Sequence, residues 1–307
     1  MGAVNCYVVR TGRDVVLIDP GWSSEVARTA LDRHLVNLGL TYRAIDLILV
    51  THHHYDHFSQ AVDLRAQFDI PIAVGHGEQH SLRASLGEGS GYHAQNERLR
   101  RWGAVDLAEE AAAYRSTERE GSLPTGLADR WIEEGAIIGG IRALASPGHT
   151  RGHITFVLDE PRVAFTGDHL LTHIVSGTGI ERVPAEFPVR EQLASLRRTA
   201  RDLEGYALAP AHGWVEPDVA DRSVEVIAHH ERRIAELREA VHAAGSCTAL
   251  QIAESRTWTR RSLRFAEVGL LRRVAAISEI GMHLDELVAR GELARISSAR
   301  GFVYRAA

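Results

Sequence analysis

Lysine is absent from this 307-residue chain, and all 35 basic residues are arginines. That excludes Schiff-base and lysine-nucleophile chemistry, which both need a side-chain amine. Cysteine occurs only as Cys6 and Cys247. Two are too few for a disulfide framework, and the scarcity fits the reducing cytoplasm expected here. No apolar stretch approaches the roughly 20 residues of a membrane helix; the longest, such as 45–50, are strand-sized. Residues 1–20 lack the basic flank, apolar core and cleavage site of a secretory signal. No internal repeat or low-complexity tract occurs. The net charge of −5 is weak for this length and argues against a dedicated nucleic-acid binder. What is present is an ordinary globular composition, 45% hydrophobic and 24% charged, in a length that suits a large domain with a small one, or two of similar size. Against that background the 17 histidines stand out.

Periodicity organises the chain. Residues 4–9 and 15–19 read as strands paired across Thr11-Gly12-Arg13, followed by a helix over 24–38 and a buried strand at 46–50. A helix over 58–68 and a strand at 72–74 come next. Between about 75 and 130 the β signal fades, glycines cluster at Gly87, Gly89 and Gly91, and 95–114 has helical character. So long a connection in a compact domain is usually functional, which predicts a helical lid. Its Tyr92, Trp102 and Tyr114 either line an acyl chain or pack into the core. Strands resume at 141–145, 154–158 and 163–166, and helices fit 189–203 and 219–243. The last segment, 245–307, carries three helical patterns and then two short strands near 294–297 and 302–304, the outline of a winged helix.

The segment Thr51-His52-His53-His54-Tyr55-Asp56-His57 follows a buried strand and precedes a helix, the kind of loop on which chemistry is mounted. Alternate residues of an extended backbone point the same way, so His52 and His54 can address one centre while His53 faces elsewhere. Asp56 and His57 can address a second centre close by. His149 in Ser-Pro-Gly-His-Thr, Asp168 in Thr-Gly-Asp and His212 in Pro-Ala-His-Gly each follow a β-like run and are flanked by glycine or proline. Imidazole with carboxylate suits zinc, iron or manganese rather than a soft thiolate site. A surface that is merely rich in histidine would not repeat strand, turn and ligand three times.

The combination His-x-His-x-Asp-His, Gly-His-Thr, Gly-Asp and a late Ala-His-Gly resembles the metallo-β-lactamase fold superfamily over about residues 4–244. The resemblance implies an α+β fold, a four-layer αββα sandwich holding two divalent metal ions between its sheets, zinc in the first instance, with iron or manganese as alternatives. It implies that His52, His54 and His149 hold one ion, that Asp56, His57 and His212 hold the other, and that Asp168 bridges both. Aspartate at the bridging position, where class B β-lactamases commonly carry cysteine, points away from antibiotic hydrolysis and resembles the hydroxyacylglutathione hydrolase, lactonase and ribonuclease Z branches. Relatives commonly carry a strand pair ahead of residue 4, so either the first strand is lost or the start is placed late. The stretches 248–252 and 279–290, with Arg300–Tyr304 and the His229-His230-Glu231-Arg232-Arg233 run, are similar to the lactamase-beta-2-like group with its winged-helix appendage. The expected division is therefore 1–244 catalytic, with 75–130 as helical lid insertion, and 245–307 winged-helix-like.

Two divalent ions about 3.5–4 Å apart can share a water and deliver hydroxide at neutral pH. Asp56 is then the natural acceptor for the water's proton, a general-base role. Cys6 and Ser146 read as packing and turn residues rather than nucleophiles. A ligating histidine usually donates its second ring N–H to a carboxylate or carbonyl. Asp19 could accept such a bond or simply shape its Asp-Pro-Gly turn, and His153 could support a ligand or fill the core. His173 could touch substrate or face solvent. The leading function is a dinuclear metal-dependent hydrolase whose metal-bound hydroxide attacks a thioester or related ester of acyl-carrier or CoA type. The substrate is small or carrier-bound, no membrane is involved, and a homodimer is compatible. An endoribonuclease is the alternative, because residues 245–307 hold ten arginines against six acidic residues; helix 279–290 is nevertheless a poor face for a polyanion. A mononuclear iron, persulfide dioxygenase-like enzyme is a second alternative, which the filled second metal set disfavours. A non-catalytic regulator is the least favoured reading.

Overall fold

The structure is a computed structural model that describes residues 3–12, 14–87, 93–117, 125–258 and 261–307. Arg13, Gly89, Gly91 and Tyr92 lie outside the described residues. Strands β1 (Tyr7–Thr11), β2 (Asp14–Ile18), β3 (Leu47–Val50), β4 (Ile72–Gly75) and β5 (Arg130–Ile132) form one sheet in sequence order. Its first pair is antiparallel and the rest are parallel. Helices α1 (Glu25–Asn37) and α2 (Tyr55–Phe68) connect its parallel strands. Helices α3 (Gln79–Leu86), α4 (His93–Arg101) and α5 (Val105–Thr117) lie between β4 and β5. A second sheet has the order β10-β9-β8-β7-β6, from β6 (Ile137–Ile138), β7 (Ile141–Ala145), β8 (Ile154–Leu158), β9 (Val163–Gly167) and β10 (Ala207–Pro210). Helix α6 (Pro188–Asp202) precedes β10, and the 26-residue α7 (Val219–Ala244) follows it.

The apolar pattern explains how these pieces meet. Successive strand residues face opposite sides, so β2 and β3 send Val16, Ile18, Leu47 and Leu49 to one face and Leu17, Ile48 and Val50 to the other. The first set packs with Ile141, Ala143, Phe156 and Phe165 of the second sheet. The second set packs with Leu31, Leu35, Phe58 and Leu64 of α1 and α2. On its far side the second sheet meets α6 and α7 through Leu144, Val157, Leu196 and Val226. Central β3 is buried on both faces, which is why it reads as the unbroken run Leu-Ile-Leu-Val.

After α7 come β11 (Ser246–Cys247), α8 (Ala249–Glu254), the short pair β12 (Thr257–Trp258) and β13 (Leu263–Arg264), α9 (Leu270–Ala289), and the hairpin β14 (Leu293–Ser298) with β15 (Gly301–Ala306). The three helical patterns expected here resolve into α8, one 3-10 turn at Phe265–Glu267 and a single long α9. Thr248 caps α8 in a reciprocal capping box with Gln251. One apolar core joins this segment to α4, α5, α6 and α7, through Leu99, Trp102, Leu107, Leu193, Leu237 and Ile277 among others. The helical run expected over 95–114 is broken at Trp102–Ala104, where Trp102 turns fully inward and donates its indole N–H to Asp285. No described helix is long and apolar enough to cross a membrane.

Gly281 lets α9 approach Trp102: a Cβ there would stand 2.2 Å from the indole ring. Gly281→Val is expected to cost about 1–3 kcal/mol through overpacking, read as a lower urea midpoint. An unchanged midpoint would contradict this packing.

Candidate metal centre

The seven residues of the histidine and aspartate pattern converge at the C-terminal ends of β3, β7, β9 and β10. Strand β3 runs out at Val50, Thr51–His54 cross the sheet edge, and His54 takes the extended N-cap position of α2. Asp56 and His57 therefore occupy the first helical turn, where the helix dipole favours a carboxylate. Helix α2 begins at Tyr55, earlier than the expected 58, and this earlier start is what turns both side chains towards the centre.

His52 Nε2 and His149 Nε2 lie 2.9 and 3.0 Å from His54 Nδ1. Their partners fix the tautomers. His149 Nδ1–H donates to the Gly177 carbonyl at 2.6 Å and His54 Nε2–H to the Ile180 carbonyl at 3.0 Å. Thr51 gives its hydroxyl proton to Asp19, so its oxygen accepts from His52 Nδ1–H. Three lone pairs thus face one another with no proton between them. Burial, then the neighbouring imidazoles, pushes His52 well below its ordinary value; burial above all lowers His54 to about 3 and His149 to about 4.

A second cluster adjoins the first. His57 Nδ1–H donates to Asp19 at 2.9 Å and His212 Nδ1–H to the Ala3 carbonyl at 2.7 Å. Their Nε2 atoms face Asp56 Oδ2 at 3.8 and 3.4 Å and Asp168 Oδ1 at 3.8 and 3.4 Å. The other oxygen of Asp168 faces His149 Nε2 at 3.7 Å. Asp168 thus turns one oxygen to each cluster. Burial opposes charge on His57, but Asp19, Asp168 and Asp56 outweigh it and raise His57 to about 10. Burial likewise opposes ionisation of Asp56, and His212, His57 and His54 outweigh it, holding the carboxyl below the usual range.

Both clusters fit divalent ions. His57 Nε2, His212 Nε2 and Asp168 Oδ1 are buried without a hydrogen-bond partner among the described residues, and leaving such atoms unmatched costs about 1–3 kcal/mol each. Ligand atoms of His52, His54 and His149, of Asp56, His57 and His212, and of His52, His57 and Asp168 lie within 4.8 Å of one another in each set. Neutral imidazoles with carboxylates are the donors that zinc, iron and manganese accept.

The remaining candidates separate. Asp19, at φ +48°, takes the Thr51 N–H and hydroxyl as well as His57 Nδ1–H, so it ties the two clusters together. His153 is fully buried; it donates to Ser146 Oγ at 2.8 Å and accepts the backbone N–H groups of Asp168 and His169, holding the turn that carries Asp168. Gly167 fits beneath that turn because a Cβ would meet Thr51 Oγ1 at 2.5 Å. His173 is exposed and stacks on Trp214 beside His212, with no ring nitrogen in either cluster. Ser146 is occupied by His153 and Thr155. Cys6 is half-buried against the α1–α2 core, and burial, aided by Asp19, pushes its thiol up and away from the thiolate. Sequence reasoning missed Glu78 and Glu181, both buried. Glu78 holds His53 and Thr150; Glu181 accepts from Ser81 at 2.9 Å and from the Arg151 N–H at 2.7 Å. The carbonyls of Gly177 and Ile180 that aim two of the histidines carried no side-chain signal.

Two sheets with a histidine and aspartate cluster at one edge define a metallohydrolase type of fold. The chain belongs to the metallo-beta-lactamase superfamily, whose family model matches residues 1–212. It is 28% identical to a lactamase-like protein of Penicillium aethiopicum over 75% of this chain and 58% of that protein. It is 27% identical to the atrochrysone carboxyl ACP thioesterase of Aspergillus fumigatus over 71% of this chain and 39% of that enzyme. The chain thus spans between two-fifths and three-fifths of the length of these relatives. A solved metallo-beta-lactamase family protein from Thermus thermophilus superposes with a TM-score of 0.77 at 25% identity, covering 99% of this chain and 94% of its own. A beta-lactamase domain protein from Burkholderia ambifaria shares the fold at a TM-score of 0.75 and 22% identity, over 99% of this chain and 88% of its own.

Because Asp19 supports both His57 and Thr51, Asp19→Asn is expected to weaken zinc binding about 10–100-fold, measured by competition with a chelator. Wild-type affinity in the variant would remove Asp19 from the metal centre.

Proposed function

We propose that this chain is a dinuclear metal-dependent hydrolase of thioesters or related esters of the acyl-carrier or CoA type. The observation that carries the reading is the double convergence on Asp168: three unprotonated imidazole nitrogens on one side, and orphaned buried atoms of His57 and His212 on the other. The thioester class is supported by relatives named as ACP thioesterases.

His52, His54 and His149 would hold one ion and Asp56, His57 and His212 the other, with Asp168 offering one oxygen to each, and zinc is the ion this donor set would take. Such a pair would lower the pKa of a shared water towards neutrality and polarise the acyl carbonyl. Asp56 is the site carboxylate that reaches solvent, its side chain 32% exposed against 6% for Asp168. Held ionised by the surrounding imidazoles, it takes the attacking water's proton and returns it to the leaving thiolate. Asp19, through His57 and Thr51, and His153, through the Asp168 turn, keep the ligand atoms aimed. No serine or cysteine nucleophile is required.

Four further readings belong to this proposal. The layers of helix, sheet, sheet and helix form an αββα sandwich. Residues 1–244 are the catalytic unit, and 245–307 a winged-helix-like unit supported by its order of helix, helix and hairpin. Residues 75–130 are a helical lid insertion, and among the described residues its start closes one side of the centre, supported by the bonds of Glu78 and Ser81 to Thr150 and Glu181. The setting is cytoplasmic. The endoribonuclease alternative loses ground because Arg290 and Arg295 are committed to Glu231, Glu286 and Asp285.

Zinc-loaded protein tested against acyl-pantetheine thioesters and unstructured RNA is expected to cleave the thioesters. Asp56→Ala is expected to lower turnover about 10²–10⁴-fold. RNA cleavage lost in the same variant would overturn the substrate class, and thioesterase activity retained above about one percent would overturn the role of Asp56.

A further inference from the structure

Asp56 and His212 also line a cavity of about 980 Å³ that leads away from the metal centre. That volume sits at the upper end of the range for small-molecule sites, about 300–1,000 Å³. Its walls are β1 and α1, and both start at the centre. Strand β1 is moored there by the Ala3 carbonyl, which accepts from His212 Nδ1–H, and by Asn5, which donates to the Pro210 and Gly213 carbonyls. Helix α1 follows the turn that begins at Asp19, the residue that supports His57. Both walls then run away from the metals. Arg10 joins them at the far end by donating to the Leu38 carbonyl at 3.4 Å. Val26 and Asn37 both line the cavity, so its helical wall is about 16 Å long at 1.5 Å rise per residue.

The cavity is polar at one end and apolar along most of the rest. Cys6 and Val8 of β1 pack with the cluster that holds Leu31 and Leu35 of α1, and these four residues form the floor. The rim is apolar and open: Trp22 is 48% exposed, Val26 82% and Leu38 53%. Val26 and Ala30 stand four residues apart on one face of α1. Apolar side chains exposed singly are ordinary, whereas a contiguous row beside a cavity marks a binding surface. Asp56 is the only acidic residue of the lining, its side chain 32% exposed, and no arginine joins it among the described residues. The walls beyond the metal end therefore match hydrocarbon rather than an ionic group.

We propose that this groove takes the acyl chain of the substrate, with the thioester carbonyl at the Asp56 end and the hydrocarbon laid along α1. The site then selects extended apolar acyl groups over acetyl-sized ones. The identity of the bond rests on the hydrolase reading; the place of the chain rests on the cavity. Strand β1 is the outer strand of its sheet, so a strand of a second copy is the rival occupant. The continuity of apolar walls with Asp56 favours a ligand that is polar at one end only.

The test follows binding and turnover along one series. Zinc-loaded protein is titrated calorimetrically with acetate, hexanoate and decanoate, the acids that the matching thioesters release. Affinity is expected to rise roughly two- to fourfold per added methylene, the gain from burying hydrocarbon. Acyl-pantetheine thioesters of the same lengths are expected to show KM falling in step, with kcat little changed. Ala30→Glu puts a charge into the groove at an exposed helical position and is expected to flatten both series. Thr29→Glu adds the same charge to α1 outside the cavity and is expected to leave both intact. A flat series in wild type, or a steep one that Ala30→Glu does not change, would overturn the proposal. Thioester turnover with a flat series would sink the groove and spare the hydrolase reading; length-dependent acid binding without turnover would do the reverse. A dimer that Ala30→Glu converts to monomer, with the series unchanged, would overturn the proposal and assign the face to a second copy.

Discussion

Asp168 sets the terms for the rest of the molecule. A carboxylate that is only 4% exposed, with imidazole nitrogens closing on both its oxygens, is costly to bury without cations. The fold meets this constraint by rigidity. Four parallel or antiparallel strands end at one edge and deliver ligand-type residues within a few positions of their ends. Asp19 and His153 then lock the turns, one through Thr51 and His57, the other through the backbone N–H groups after Gly167. Each of four imidazoles gives its outer N–H to a fixed acceptor, so each inner nitrogen is aimed at the centre.

The same economy explains the acidic pair behind the centre. Glu78 and Glu181 are buried close together, which alone would be unfavourable. Hydrogen bonds from His53, Thr150, Ser81 and the Arg151 N–H divide the load between them. Burial first, and then Glu78, raises Glu181 to about 7, while His53 holds Glu78 low against its own burial. Burial thus favours the protonated form of Glu181, while His53 favours the ionised form of Glu78. His53, the middle residue of the triple histidine, faces away from the centre as strand alternation requires, and serves as the link between the metal loop and the segment after β4.

Much of this was legible in the sequence because it is local. The unbroken β3 run, the alternation of His52 and His54, and the repeated pattern of strand, turn and ligand at His149, Asp168 and His212 all rest on spacings of a few residues. Strands β7 and β8 matched their expected bounds for the same reason. What stayed hidden depends on distant partners. Glu78 and Glu181 look like ordinary surface acids until the fold closes around them, and the His230–His283 pair spans 53 residues. Strands β5 and β6, of three and two residues, are too short to show a period. The break at Trp102 between α4 and α5 comes from burying an indole against Gly281 on α9, a packing decision that no local propensity records.

The central claim is that one edge of the two sheets forms two adjacent cation positions sharing Asp168. The measurement that tests it most directly is metal content after equilibration with zinc and desalting, counted per chain by mass spectrometry of the elements. The account predicts two ions per chain. Saturation at one ion, whether zinc or iron, would contradict it.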